Sequence, residues 1–294
     1  CPIGRSKTPS LCGKKFKKFS EFFPNCAENC LLKVTQVCMT EPQVKTIKRK
    51  GSRFYVHPSS NEKFIGVTSV IRMLPKPFLQ YWAAKMVAES AVENIGAVMN
   101  LISSGDKSAA VDMLKRAPTR SSGAAADTGT QLHAIAEQLN KGEDVGLIHP
   151  DLSPSVDQYK KFLDDWQPEF LEAEATAFNY DDKWAGTLDG ICKIGGESII
   201  FDLKTGKGVY DEVSLQLTAY ANATCLVDPD GKERALPEIE GGAVLHLRPD
   251  HYELIPVRIG ADIYRVFQSL IHITEWDSEI KNGVLGTPQK LGEN

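Results

Sequence analysis

No apolar run in this 294-residue chain approaches the roughly 18 residues a membrane-spanning helix needs. The N-terminus is polar and basic where a secretory leader would be apolar. Together these absences give the expectation of a cytoplasmic protein with no membrane partner. A Gly-x4-Gly-Lys-Ser/Thr phosphate loop is missing and no helicase motif is present, so a nucleotide-driven motor is not expected. No internal repeat is visible. Strong net charge is lacking too. The balance is −4, so bulk charge draws in neither nucleic acid nor an anionic surface. A polyanion would have to be held by a local patch or by metal ions. What remains is ordinary globular material, 42% hydrophobic and 24% charged, enough for one large domain or two small ones.

Charge and cysteine are unevenly spread. Residues 1–38 carry seven Lys/Arg against two Asp/Glu, and the other residues carry 27 against 36. Five of the seven cysteines (Cys1, Cys12, Cys26, Cys30, Cys38) lie in that first segment. One reading is a zinc module, with Cys26-x3-Cys30 supplying two ligands and Cys12 and Cys38 the others. The favoured reading is that 1–38 is dispensable and not native folded sequence, with a start at Met39-Thr40-Glu41-Pro42. Disulfides are the least favoured, since no export signal accompanies them. Cys192 and Cys225 stand alone in apolar surroundings and are expected to be core thiols.

The rest divides into a region at 39–123 (basic arm, hairpin, helices), a core at 124–284 and a frayed tail at 285–294. Residues 43–53 form a flexible basic arm, either a solvated segment or a phosphate contact through Lys48, Arg49 and Lys50. A hairpin over 54–67 turns at Pro58-Ser59-Ser60-Asn61, and Thr68-Ser69 caps a short helix ending near Pro75. Helices are expected over 77–103 and 106–116, a loop over 117–123, and further helices over 124–140 and 153–170. Leu79, Trp82, Ala83 and Met86 fit one helical stripe, expected to be core packing. The period then changes from 3.6 to 2. Strands are expected over 171–180, 184–194 and 198–205, a helix over 211–227, a polar loop over 228–240, strands over 242–249 and 252–259, and a helix over 260–281. That order predicts an α/β fold, a mixed central sheet with helices on its faces.

The chemistry concentrates in 186–220. Gly195-Gly196 is a strong two-residue turn signal. If those residues form the loop, Asp189 faces Asp202 on the neighbouring strand, with Cβ atoms about 5 Å apart. Two carboxylates that close are tolerated when a cation lies between them or one keeps a proton. Hard oxygen ligands favour Mg²⁺ or Mn²⁺. Lys204, two residues beyond Asp202, shares its face and can hold a water or steady developing negative charge. Gln216 and Tyr220 share one face of the next helix. The strand core Ile199-Ile200-Phe201 is apolar, so the sheet is expected to be covered on both sides, and charges there need a reason.

These residues, in this order, resemble the PD-(D/E)XK nuclease superfamily in its RecB-type exonuclease branch. The matching positions are His133 in Gly129-Thr130-Gln131-Leu132-His133, then Gly186-x-x-Asp189, Asp202-x-Lys204 and Gln216-x3-Tyr220. The likeness covers 124–227 closely and 54–280 more loosely. It implies a restriction-endonuclease-like core with an added N-terminal helical region. It also implies a DNA exonuclease, phage- or recombination-related, in which His133, Asp189, Asp202 and the Leu203 carbonyl hold Mg²⁺ or Mn²⁺. Lys204 would be the catalytic lysine, and Gln216 and Tyr220 would complete the site. Relatives often place an acid on the first core strand; Glu174 is preferred there over Glu172. Arg116 and Arg120, ahead of the histidine helix, are candidate phosphate contacts. Some relatives carry an iron–sulfur cluster with three C-terminal cysteines; this chain has no cysteine after Cys225, so none is expected. The expected partners are DNA and a single-strand annealing or recombination protein, in the cytoplasm of a bacterial host if phage-encoded. The alternatives are a structure-specific endonuclease on the same core, or a non-catalytic DNA-binding recombination partner.

Overall fold

The computed structural model describes residues 44–288, apart from the side chains of Ala124 and Ala125. The expectations for Cys1, Cys12, Cys26, Cys30, Cys38 and Met39, and for most of the tail, lie outside the described residues.

Three short strands come first: β1 (Thr46–Arg49), β2 (Ser52–Val56) and β3 (Lys63–Gly66). The arm expected over 43–53 is thus largely sheet. Lys50 and Gly51 both have positive φ (47° and 78°), as a two-residue hairpin loop requires, and they fold the basic segment back on Ser52–Val56. A one-turn helix α1 (Val67–Ile71) follows. Its N-cap is Gly66 with no side-chain cap; the Ser69 hydroxyl instead accepts the Arg53 amide at 2.8 Å.

The expected helix over 77–103 is two, α2 (Phe78–Glu93) and α3 (Ile95–Ser103), interrupted at Asn94. Helix α4 (Lys107–Lys115) is capped by the Asp106 carboxylate, which accepts the Ala109 amide at 2.9 Å. The loop expected over 117–123 is instead the start of a 24-residue helix, α5 (Ala117–Asn140). Pro118 lies in its first turn, where a proline costs nothing because that amide has no helical acceptor. The apolar stripe on α2 is no core: Trp82, Ala83 and Met86 are only half-buried and Leu79 is exposed.

Helix α6 (Ser153–Trp166) leads into long strands β4 (Glu169–Asn179) and β5 (Trp184–Ile194), then β6 (Glu197–Lys204). Helix α7 (Val213–Ala221) is shorter than expected. Asn222 closes it, and Cys225–Val227 becomes β7, with Leu226 fully buried opposite Ala177 on β4. The loop expected over 228–240 contains a two-residue strand, β8 (Glu233–Arg234). Strands β9 (Gly241–Leu247) and β10 (Tyr252–Val257) and helix α8 (Ala261–Ser278) end the core.

The ten strands of the described residues form one mixed, mainly antiparallel sheet; the parallel pairs are β3 with β5 and β6 with β9. The hairpin register is as the glycine turn predicts: Ile194 faces Glu197 and Gly190 faces Phe201. Helices cover both faces. On one, α1, α7 and α8 pack Val70, Leu217 and Phe267 against Trp184, Ile191, Ile200 and Val244. On the other, α5 and α6 bring Ala136, Tyr159 and Phe162 onto Cys192, Phe201, Leu203 and Leu245. Fully burying each such large apolar side chain contributes roughly 1.5–3 kcal/mol. Cys192 and Cys225 are buried free thiols. Among the described residues no helix is long and apolar enough to cross a membrane.

Candidate metal centre

The site lies where the sheet forks. Strand β4 pairs along one edge of β5. On the other edge, β3 pairs with Trp184 and Ala185, and β6 with Gly190 to Ile194. On that second edge, residues 186–189 between the two ladders have no strand beside them. A cleft of about 180 Å³ opens there, lined by His133, Asp189, Asp202, Lys204, Gln216 and Tyr220 and, from the opposite wall, Arg53, Tyr55 and Thr68. Backbone groups in the gap are satisfied by side chains instead. The Thr187 amide donates to the Tyr55 hydroxyl at 3.2 Å, and the Leu203 amide donates to Asp189 Oδ2 at 2.7 Å.

Three acids form a row across three strands. Ala173 pairs with Gly190 and Ala175 with Leu188, which sets Glu174 level with Asp189. One step beyond the Gly190–Phe201 pair, Asp189 is level with Asp202. Glu174 has a positive φ of 47°, and Leu188 and Ile191, three residues apart, both enter the same core cluster. Strict alternation forbids that, so the strand pair is irregular at the acids. This separates Glu174 from Glu172. Glu172 is ion-paired with Arg234, while Glu174 Oε1 lies 3.8 Å from His133 Nδ1.

Helix α5 brings His133 over the row. Its Nδ1 is 3.6 Å from Asp189 Oδ2, and its Nε2 is 3.0 Å from the Leu203 carbonyl, a geometry that leaves Nδ1 facing the acids. One ligand atom each from His133, Glu174 and Asp189 lie within 4.8 Å of one another. Asp202 stands beside this group and is otherwise engaged. Its Oδ1 accepts Gln216 Nε2 at 2.9 Å, and its Oδ2 faces Lys204 Nζ at 2.6 Å. Oδ2 is buried and has no well-aligned hydrogen bond, which leaves a lone pair available. Two or three carboxylates and one imidazole nitrogen fit a hard divalent cation such as Mg²⁺ or Mn²⁺.

The net effect of burial and mutual charge shifts Asp189, Asp202 and His133 in the same direction, upward. Burial raises the Asp202 carboxyl to about 6, with Asp189 adding to it against the pull of Lys204. Asp189 is also raised, by burial first and by Glu174, with His133 opposing. Burial lowers the His133 imidazole, but the neighbouring Glu174 carboxylate and the charges of Asp189 and Asp202 outweigh it and push the group up to about 9.

Gly186 serves the site through Tyr220. A Cβ there would lie 2.7 Å from Tyr220 Cε1 and 2.9 Å from its hydroxyl, and the ring is buried and cannot move aside. Gly186→Ala is therefore expected to cost about 1–3 kcal/mol. A lowered urea midpoint with an unchanged slope would register it; an unchanged midpoint would count against this packing.

Of the residues singled out from the sequence, the fold brings His133, Asp189, Asp202, Leu203, Lys204, Gln216, Tyr220 and Glu174 together. The basic candidates are elsewhere. Arg116 and Arg120 are exposed at the start of α5, Arg120 donating to the Met113 carbonyl. Lys48 and Arg49 are exposed on β1, and Lys50 donates to the Ser278 carbonyl. None of the five lines the cleft. Arg53 does, although by sequence it belongs only to the arm. Among the described residues its guanidinium has no hydrogen-bond or ion-pair partner, although two carboxylates, Asp189 and Asp202, line the same cleft. The Lys50-Gly51 turn was the available signal, since it starts the strand early enough to put Arg53 and Tyr55 on one face. No protein-family model and no curated protein matches this chain.

Proposed function

We propose that this protein is a divalent-metal-dependent nuclease that hydrolyses phosphodiester bonds in DNA, an exonuclease with the restriction-endonuclease-like core of the PD-(D/E)XK superfamily. One observation carries the reading: Glu174, Asp189 and Asp202 form a row across three strands, with His133 above and Lys204 beside, in a cleft at the sheet's fork. His133, Glu174 and Asp189, with Asp202 adjoining, would hold Mg²⁺ or Mn²⁺, which supplies Lewis acidity toward the scissile phosphate and its attacking water. Lys204 Nζ orients that water and steadies charge on the phosphate oxygens as the new P–O bond forms and the old one breaks. Gln216 fixes the Asp202 carboxylate through Oδ1, leaving Oδ2 to Lys204 and the cation. Tyr220 closes the floor of the cleft against Gly186.

Arg53 supplies a cation on the wall opposite Lys204, suited to a neighbouring phosphate. Arg53→Ala is expected to raise KM for DNA about tenfold with little change in kcat, and to reduce the salt slope of binding by about one. Steady-state kinetics over a salt series would check it; a fall in kcat alone would assign Arg53 to the chemical step.

The deciding experiment is incubation of end-labelled linear DNA and a closed circle with the protein in Mg²⁺ or Mn²⁺, with chelator as control. Loss of the linear molecule alone supports the exonuclease. Cutting of the circle moves the reading to a structure-specific endonuclease. Binding without cleavage moves it to a non-catalytic recombination partner.

A further inference from the structure

Tyr210 lies midway along the chain between Lys204 and Gln216, on the loop that joins β6 to α7. That loop is anchored at both ends. His246 Nε2 lies 2.9 Å from the Gly206 carbonyl, to which Arg248 Nη1 also donates at 2.8 Å, and Lys76 pairs with Glu212 at 2.5 Å. Between the anchors the loop presents Lys207 and Tyr210 to solvent; among the described residues the Lys207 ammonium has no partner. Tyr210 is 55% exposed yet ordered by contact. Its ring stacks on Phe78, with centroids 5.7 Å apart and planes 15° from parallel. Phe78, the first residue of α2, is itself 47% exposed, and Tyr81, one turn further along the same helix face, is 78% exposed.

Loop anchoring does not need this stack, since the ends are already held by three side chains. The stack leaves about half of each ring in water, an arrangement that core packing does not produce. Resting on the nuclease reading above, we propose that the Phe78–Tyr210 stack seats an unpaired nucleobase, so that the adjacent site takes a single strand or a frayed end and not intact duplex. Stacking on an aromatic ring suits any base, because every base has a π face, and a lysine beside the ring serves the phosphate of the same nucleotide. In a duplex those faces are covered by neighbouring base pairs, so only an unpaired base can use the seat. The six residues from Lys204 to Tyr210 span at most about 20 Å. A strand seated on Tyr210 therefore reaches Lys204 within a few nucleotides.

The test uses the full chain carrying Lys204→Ala, so that the probe survives, with labelled oligo(dT) and a blunt DNA hairpin whose loop is a polyethylene-glycol spacer without bases, read by fluorescence anisotropy in Mg²⁺. The single strand is expected to bind at least about tenfold more tightly than the hairpin. Adding Tyr210→Ala should weaken the single strand about tenfold and leave the hairpin unchanged, while Tyr210→Trp should retain the affinity. Phe78→Leu should act like Tyr210→Ala but less strongly. Equal affinity for the two probes, or equal loss on both, overturns the seat; the unchanged hairpin affinity doubles as the check on folding. If the wild-type chain cleaves DNA but Tyr210→Ala and Phe78→Leu, made with Lys204 in place, bind and cleave single strands as well as it does, only the seat is lost. If the wild-type chain neither cleaves DNA nor binds either probe, the nuclease reading falls and the seat with it.

Discussion

Lys204→Ala is expected to keep divalent-metal binding and to slow DNA hydrolysis by about 10²–10³-fold, the loss seen when one preorganised donor to a developing oxyanion is removed. The residue is suited to that separation of roles. Its Nζ is 2.6 Å from Asp202 Oδ2, outside the His133–Glu174–Asp189 group that offers ligand atoms. It is partly exposed while Asp202 is almost wholly buried, so the ammonium reaches from the carboxylate toward the open cleft. Removing it leaves Asp202 without its compensating charge, and the carboxyl, already raised to about 6 by burial, moves further up. Single-turnover degradation of end-labelled DNA measures the rate, and Mn²⁺ titration followed by electron paramagnetic resonance measures the metal. Unchanged hydrolysis would remove Lys204 from the mechanism. Loss of both hydrolysis and metal would make it a structural support of Asp202 instead.

The part of the site that is legible in the amino-acid sequence is the part written in local rules. A two-glycine turn determines which residues of β5 and β6 face each other, so the turn alone is enough to pair Asp189 with Asp202. The i, i+4 spacing puts Gln216 and Tyr220 on one helix face, and only Gln216 is needed at Asp202. The layer order is legible in the same way, because runs such as Ile199-Ile200-Phe201 have to be covered on both sides.

What local rules miss depends on strands that are distant in sequence. Nothing in residues 169–179 announces that Glu174 takes a positive φ, so Glu172 and Glu174 are equivalent by period 2 until Arg234, 62 residues beyond Glu172, claims one of them. The gap at 186–189 exists because β3 and β6 share one edge of β5, a pairing across more than a hundred residues. Arg53 and Tyr55 enter the cleft only through that pairing. The expectation for the arm fails on a smaller point: Lys50-Gly51 is a hairpin turn, and a lysine in left-handed backbone is a weak signal. Basic residues then draw attention by number, whereas the one that lines the cleft is distinguished by its position and by having no partner among the described residues.

Asp189→Asn should make the metal-free protein more stable while removing its response to metal. Asp189 is the middle carboxylate of the row, flanked by Glu174 and Asp202, and it is a ligand candidate in contact with His133. Burial disfavours its ionised form, Glu174 adds to this, and His133 compensates only in part, so its pKa in the fold is raised. For an acid with a raised folded pKa, the associated stability is present while the carboxyl is protonated and is lost as pH rises through the folded value. Asparagine keeps the shape and an oxygen for the Leu203 amide, and it carries no charge. The melting temperature of metal-free Asp189→Asn should therefore exceed that of the wild type by a few degrees near neutral pH, the shift that roughly 1 kcal/mol produces in a chain of this size. The gap should shrink as pH falls and the wild-type carboxyl takes up its proton. Mn²⁺ should raise the wild-type midpoint by mass action and leave that of the variant nearly unchanged. Thermal melts of both proteins, with chelator and with Mn²⁺, at neutral and acid pH, decide the matter. A variant less stable than wild type in chelator would mean that the carboxylate row is held by its own hydrogen bonds. Equal Mn²⁺ shifts in the two proteins would mean that the cation binds elsewhere.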